Sequence, residues 1–367
     1  MRPVFALVLL ASASCAGPQA TENEPDKQTI VLIGGDEEYR SEEALPQLAA
    51  ILSERHGFET KVLLAKDQKS GKINPNVRDD ISGLEALDDA DLMVIFTRWR
   101  ILPDEQMAHI DRYLKAGKPV VALRTATHAF APPPAVHPQV LGYLRALAKA
   151  DHAADVPRPE IPDEAWGAYG HYGDGYFGPK EEWRDGFGRF IVGERWVAHH
   201  GRHKHESTLG ILNPEQSEHP VLRGLDDGSI WGPTDVYSIR LQVVTDIEPL
   251  VFGQVMERKG EYDERDPYYG MRPDDGPPVE AKNDPMMPIA WTKTYHLPDG
   301  EAEGRVFTTT MGASTDLVSQ GVRRMIVQGA FWAMGLEDRI PAEGLDVELV
   351  GDYRPTKFET RDDAAWE

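Results

Sequence analysis

His199, His200, His203 and His205, four of the chain's 12 histidines, fall in one short segment with Arg202 and Lys204 interleaved. Imidazole is the commonest ligand for zinc-like cations and the side chain that titrates nearest neutral pH. In an extended segment, alternation places His199, His203 and His205 on one face and turns His200 away. Three rings so placed suit Zn or a similar divalent metal, with Glu194, Glu206 or Asp235 completing the set. The interleaved cations oppose metal binding, so a basic loop contacting a sugar, His200 included, is the competing reading.

A second group comprises Arg124, Thr127 and His128, just past an apolar run. Arg124 could bind a carbonyl oxygen or an enediolate, and His128 could move a proton. Equally, Arg124 could pair with an acid such as Asp36 and hold a sheet edge. Asp235, two residues before Tyr237, is the first choice for a general base or metal ligand; after Gly232-Pro233 it could also close a turn. Asp36, Glu37, Tyr39 and Arg40 follow another apolar run and could bind substrate or be satisfied by a helix N-terminus and solvent. Among Trp99, Trp196 and Trp231, one or two are expected to stack on a sugar ring, Trp99 first. Gly34-Gly35 lacks the third glycine of a dinucleotide fingerprint, so no nucleotide cofactor is expected.

These residues need strand ends to hold them, and the pattern supplies them. Thr29–Ile33, Phe58–Leu64, Leu92–Phe96 and Pro119–Leu123 read as buried strands. A helix capped by Ser41 and another with Pro103 near its start, stopped by Gly117, lie between them. Strands alternating with helices imply a parallel sheet with helices on both faces, and ligands bind at its carboxyl edge. Further on, Leu141–Ala148 and Leu317–Met334 read as helices, and 249–255, 288–292 and 305–310 as strands. The ring-rich stretch Trp166–Trp183 is expected to form a lid, a binding loop or mobile surface. The domain spans 29–340 with insertions near 131–190 and 257–284, and an extension, 341–367, frays near its end.

Acidic residues number 61 against 39 basic, a net charge of -22, which argues against nucleic acid as a partner. The single cysteine, Cys15, excludes internal disulfides and Cys-rich metal clusters. Residues 1–15 have the layout of an export signal, with 16–28 a polar tether. Cys15 is then either lipid-modified, the one expected link to a membrane, or close to a cleavage point. The expected location is the periplasm or cell surface.

The stretches Gly34–Ser41, Gly117–His128, Asp235-Val236-Tyr237 and Arg305–Gly312, with the helix ending at Gly335, resemble the trehalose-utilisation (ThuA-like) family. That family is a branch of the class I glutamine-amidotransferase-like fold, and the resemblance covers most of 29–336. It implies an α/β, flavodoxin-like, mostly parallel sheet with long loop insertions, and a link to disaccharide breakdown through keto-sugars. At the turn where amidotransferases carry a nucleophilic Cys, Ala122–Ala126, this chain has Arg124. After the late strand, where a catalytic His belongs, it has Met311-Gly312-Ala313-Ser314. Glutamine hydrolysis is therefore excluded. The expected activity is proton transfer next to the carbonyl of a small keto-sugar or keto-glycoside, with Asp235, His128 and Arg124 as the working groups. A non-catalytic carbohydrate-binding lipoprotein and a metal-dependent hydrolase using His199–His205 are the alternatives, and a homo-oligomer is left open.

Overall fold

The computed structural model describes Met1 and residues 27–150, 155–300 and 302–366; beyond Met1, the expected export signal with Cys15, and the tether up to residue 26, lie outside the described residues. Strands β1 (Thr29–Gly35), β2 (Glu59–Leu64), β3 (Leu92–Thr97) and β4 (Val120–Leu123) alternate with helices α1 (Ser41–His56) and α2 (Asp104–Lys115). Then follow α3 (His137–Leu147), β5 (Glu206–Leu212), β6 (Trp231–Gly232), β7 (Glu248–Glu257), β8 (Met287–His296), β9 (Glu303–Thr309) and α4 (Gln320–Ala333). All nine strands form one sheet in the order β2-β1-β3-β4-β9-β8-β7-β5-β6.

Pairing is parallel from β2 to β9 and antiparallel from β9 to β6. The expectation of a mostly parallel sheet therefore holds for one half only. The physical reason lies in the connections: β8 reaches β9 through a short turn, which permits only an antiparallel return. In the parallel half, alternate residues face opposite layers. Ile30, Leu32, Val94 and Val121 pack with Leu45, Leu48 and Leu52 of α1 and Met325, Ile326 and Ala330 of α4. Val31, Ile33, Met93, Ile95 and Val120 pack with Met107, Ile110 and Leu114 of α2. Burial on both faces is why these strands read as unbroken apolar runs.

Three local expectations are corrected. Ser41 does not cap α1; its Oγ accepts the Asp36 N–H at 3.1 Å, and the cap position falls to Arg40, whose φ is +60°. The aromatic stretch is neither lid nor mobile surface. Trp166, Tyr172, Tyr176, Trp183 and Phe187 are buried and meet edge-to-face, with Tyr172 and Trp183 centroids 4.7 Å apart. Nor does the C-terminal extension fray. Tyr353 Oη donates to Ser314 O at 2.8 Å, Glu359 O accepts from Arg40 Nη2 at 2.9 Å, and Asp363 Oδ1 accepts from Asn76 Nδ2 at 2.8 Å. No helix among the described residues is long and apolar enough to cross a membrane.

Candidate functional site

The carboxyl ends of β1, β3 and β4 each lead into a non-glycine residue with left-handed backbone: Arg40 at +60°, Trp99 at +44° and Arg124 at +43°. Such conformations cost about 1–3 kcal/mol each and gather where geometry is over-determined for function. Arg124 sits directly after β4, with its N–H bonded to Met311 O at 3.2 Å. A sharp turn thus stands at Ala122–Ala126, with the Arg124 guanidinium at its centre.

Arg124 is fully buried and spends its donors inward. Nη1 donates to Asp235 O at 2.8 Å and Thr310 O at 2.6 Å; Nη2 donates to Asp235 Oδ1 at 3.2 Å and Tyr39 Oη at 3.3 Å. Its Cζ lies 4.5 Å from the Tyr39 ring centroid and 4.0 Å from that of Tyr237. The suggested Arg124–Asp36 pair is not formed; the partner is Asp235. Arg124 is a positioning residue that fixes this carboxylate from below, and both tyrosines are its buried supports.

Above Asp235 lie the two histidines. His199 Nδ1 is 2.6 Å from Oδ2, and His203 Nδ1 is 2.9 Å from Oδ1. Their rings are 4.9 Å apart. The segment does not run extended. His199 bridges antiparallel to Tyr237, and residues 203–205 turn before β5 begins. Gly201 permits this closeness, since a Cβ there would lie 3.0 Å from Asp235 Cβ and 3.2 Å from Val236 N. The turn brings His203 over the same carboxylate as His199 and carries His205 away, a correction to the expected trio. His205 stacks on Tyr262 at 5.0 Å. His200 is likewise tied elsewhere, donating through Nε2 to Lys282 O at 2.6 Å.

Burial alone would raise the Asp235 carboxyl, but hydrogen bonds from His199 and His203, with the charge of Arg124, hold it well below its usual range. Burial would lower His203; its bonds to Asp235 and Glu38 raise it instead. Glu38, which sequence reasoning left out, meets His203 Nε2 at 3.2 Å and Arg98 Nη2 at 3.3 Å. Burial would raise it, and the His203 hydrogen bond and Arg98 hold it down. His199 keeps 38% of its side chain exposed and is the group of this cluster most open to solvent.

Aromatic rings form the neighbouring wall. Trp196 lies 5.6 Å from His199 and 6.1 Å from Trp99, and Arg98 covers the Trp99 ring at 4.4 Å. Trp99 Nε1 donates to Asp174 Oδ2 at 3.2 Å, and Arg195 Nε grips the other oxygen at 2.8 Å. Trp231 is buried elsewhere, against Tyr268. His128 forms the floor, 4.7 Å from Trp99 and 5.6 Å from Trp196, with Nδ1 3.0 Å from Thr127 Oγ1. Burial, then the charges of Arg98, Arg195 and Arg124, push it well below the usual histidine range. Thr127, equally buried, supports the ring through this hydrogen bond. On the far side stands Phe358, stacked on Tyr39 at 5.5 Å and edge-on to His203 at 5.4 Å.

The remaining predicted contacts are structural. Asp36 accepts from Glu38 N, Tyr39 N and Thr125 Oγ1 at 2.7, 2.5 and 2.5 Å. Glu37 is held by Arg98 at 2.7 Å and by the buried Arg100 at 2.5 Å. Arg40 points away, donating to Glu37 O and to the C-terminal extension under Trp366. Each of these side chains is thus tied to the scaffold rather than gathered at Asp235.

No family model matches the chain, and no curated protein matches it. Among solved structures, it is similar to a protein described as thua-like from Bacteroides uniformis ATCC 8492, at 13% identity with a TM-score of 0.44, over 87% of this chain and 95% of that one. It is also similar to one described in the same words from Parabacteroides merdae ATCC 43184, at 16% identity and a TM-score of 0.40, over 84% and 90%.

Proposed function

We propose that the chain processes a small carbohydrate, a keto-sugar or keto-glycoside, by moving a proton next to its carbonyl, at the Asp235 centre. The observation that carries this reading is one buried, ionised carboxylate shared by two imidazoles, His199 and His203, with His199 open to solvent. An acid–base group of that kind can take a proton from carbon and return it to oxygen or to a leaving group. Trp99 and Trp196 stand beside it as a partly exposed aromatic wall, a surface suited to the apolar face of a pyranose ring. The resemblance of Gly34–Ser41, Gly117–His128 and Asp235–Tyr237 to the ThuA-like family supports the same substrate class. The export layout of residues 1–15 goes with a periplasmic or surface site of action, which cell fractionation tests.

Purified protein incubated in D2O with keto-disaccharides and keto-monosaccharides should give isomerised, cleaved or deuterium-exchanged sugar by NMR. His199→Ala should remove the signal. Sugar binding by calorimetry with no exchange or turnover in any cation would sink the enzymatic reading in favour of a binding protein.

A further inference from the structure

We propose that His199, His203 and Asp235 form a binding site for one zinc-class divalent cation. The inference draws its chemical purpose from the reading above, but its geometry stands alone. One ligand atom from each of the three side chains lies within 4.8 Å of the other two. Ligands about 2.0–2.1 Å from a tetrahedral zinc stand roughly 3.4 Å from each other, so modest adjustment closes the set. Two imidazoles and one carboxylate are a zinc-compatible donor set, also used for Fe(II), and leave at least one position free. His199, the partly exposed member, marks the side from which a substrate oxygen or water would enter.

The surroundings match what such sites require of their second layer. Metal-binding imidazoles turn their other ring nitrogen to a carboxylate, which fixes ring orientation and raises basicity. His203 does this: Nδ1 faces Asp235 while Nε2 faces Glu38 Oε1 at 3.2 Å. Asp235 is fixed through its main-chain oxygen and Oδ1 by Arg124, so the carboxylate is held before any cation arrives. Gly201 lets the loop carrying both rings approach it. His205, expected as the third ligand, is held by Tyr262 and by Arg258 Nη1 at 3.2 Å and lies outside the set. A cation here would supply positive charge where enolisation of a neighbouring carbonyl develops an oxyanion, and a water on it would take over the proton transfer that the metal-free His199–Asp235 pair performs.

The test uses the untagged full chain, stripped with chelator, dialysed and titrated with Zn2+ alone and separately with Co2+. Elemental analysis should find about one Zn2+ per chain, and Co2+ should give visible absorption bands of a low-coordinate nitrogen–oxygen site. His199→Ala and His203→Ala should each weaken Zn2+ binding at least 10-fold, while His205→Ala keeps it. Circular dichroism on each variant separates lost ligands from lost fold. Failure of the wild type to retain stoichiometric Zn2+ or Co2+, or binding unchanged in both ligand variants, overturns the proposal. Because the readout needs no sugar, bound metal without turnover supports this site while removing the keto-sugar reading. Turnover by a chain that retains neither Zn2+ nor Co2+ does the reverse.

Discussion

Two neighbouring stretches, 166–192 and 194–205, are both crowded with rings, yet they put them to opposite uses. In the first, aromatic side chains satisfy one another: Trp166, Tyr172, Trp183 and Phe187 are buried, and the Tyr172 hydroxyl donates to Asp111 at 3.0 Å. Its histidine, His171, is pushed down to about 4, first by burial and then by Lys180, and behaves as a neutral packing group. In the second, imidazoles converge on a charge. His199 and His203 stand over an ionised Asp235 with one side facing solvent. Ring content alone does not distinguish scaffold from site; what does is whether the polar atoms are satisfied inside the cluster or gathered around one charged centre.

The comparison breaks hardest at Asp235. Asp235→Asn leaves Arg124 buried without its counter-charge, and removing one partner of a buried ion pair costs about 3–5 kcal/mol. Denaturant unfolding should show that loss together with loss of sugar turnover; a variant as stable as the parent would deny Arg124 its dependence on this carboxylate. Next come Phe187→Ala and His199→Ala, one from each stretch. The first should lose about 3 kcal/mol or more as a core truncation. The second should lose less, about 1–2 kcal/mol, because it removes the hydrogen bond that a partly exposed ring makes to Asp235, yet end turnover. Equal destabilisation in both would erase the distinction. The smallest effect concerns His171, which faces Lys180 and Asp111. Its folded pKa lies below its unfolded value of 6.5, so its contribution to stability is complete above that pH and declines as the pH falls toward about 4. His171→Gln should therefore flatten the acid-side decline in melting temperature, and parallel curves for parent and variant would refute this.

The parallel half of the fold was readable because strands buried on both faces must be apolar throughout, as in Leu92–Thr97. The antiparallel half was only partly so. Glu206–Leu212 has no clean alternation, and Trp231–Gly232 is too short to register as a strand. In the site, His199 and His203 stand out because four histidines fall in one short segment, and Asp235 because it lies two residues before Tyr237. His205 was misplaced because strand alternation was applied to a segment that turns. Glu38 and Arg98 carried a weak signal, a charge just past a strand, shared with Glu37 and Arg40. Which of these faces the site depends on a left-handed kink at Arg40, which residue type does not announce. Phe358 carried none, since nothing local links it to Tyr39.

That last contact has a consequence for the order of events in the cell. Arg40 and Glu359, which tie the extension down beside Phe358, are separated by 319 residues in sequence. Contacts so distant form only after the intervening chain is available and its loop entropy has been met. The sheet's first strands can pair early, whereas the wall behind His203 must wait until Phe358 and Glu359 dock. Without Phe358 the far side of His203 would stand open to water. Completion of the site is thereby a late, long-range step of folding, and the pairing of β1, β2 and β3 an early one.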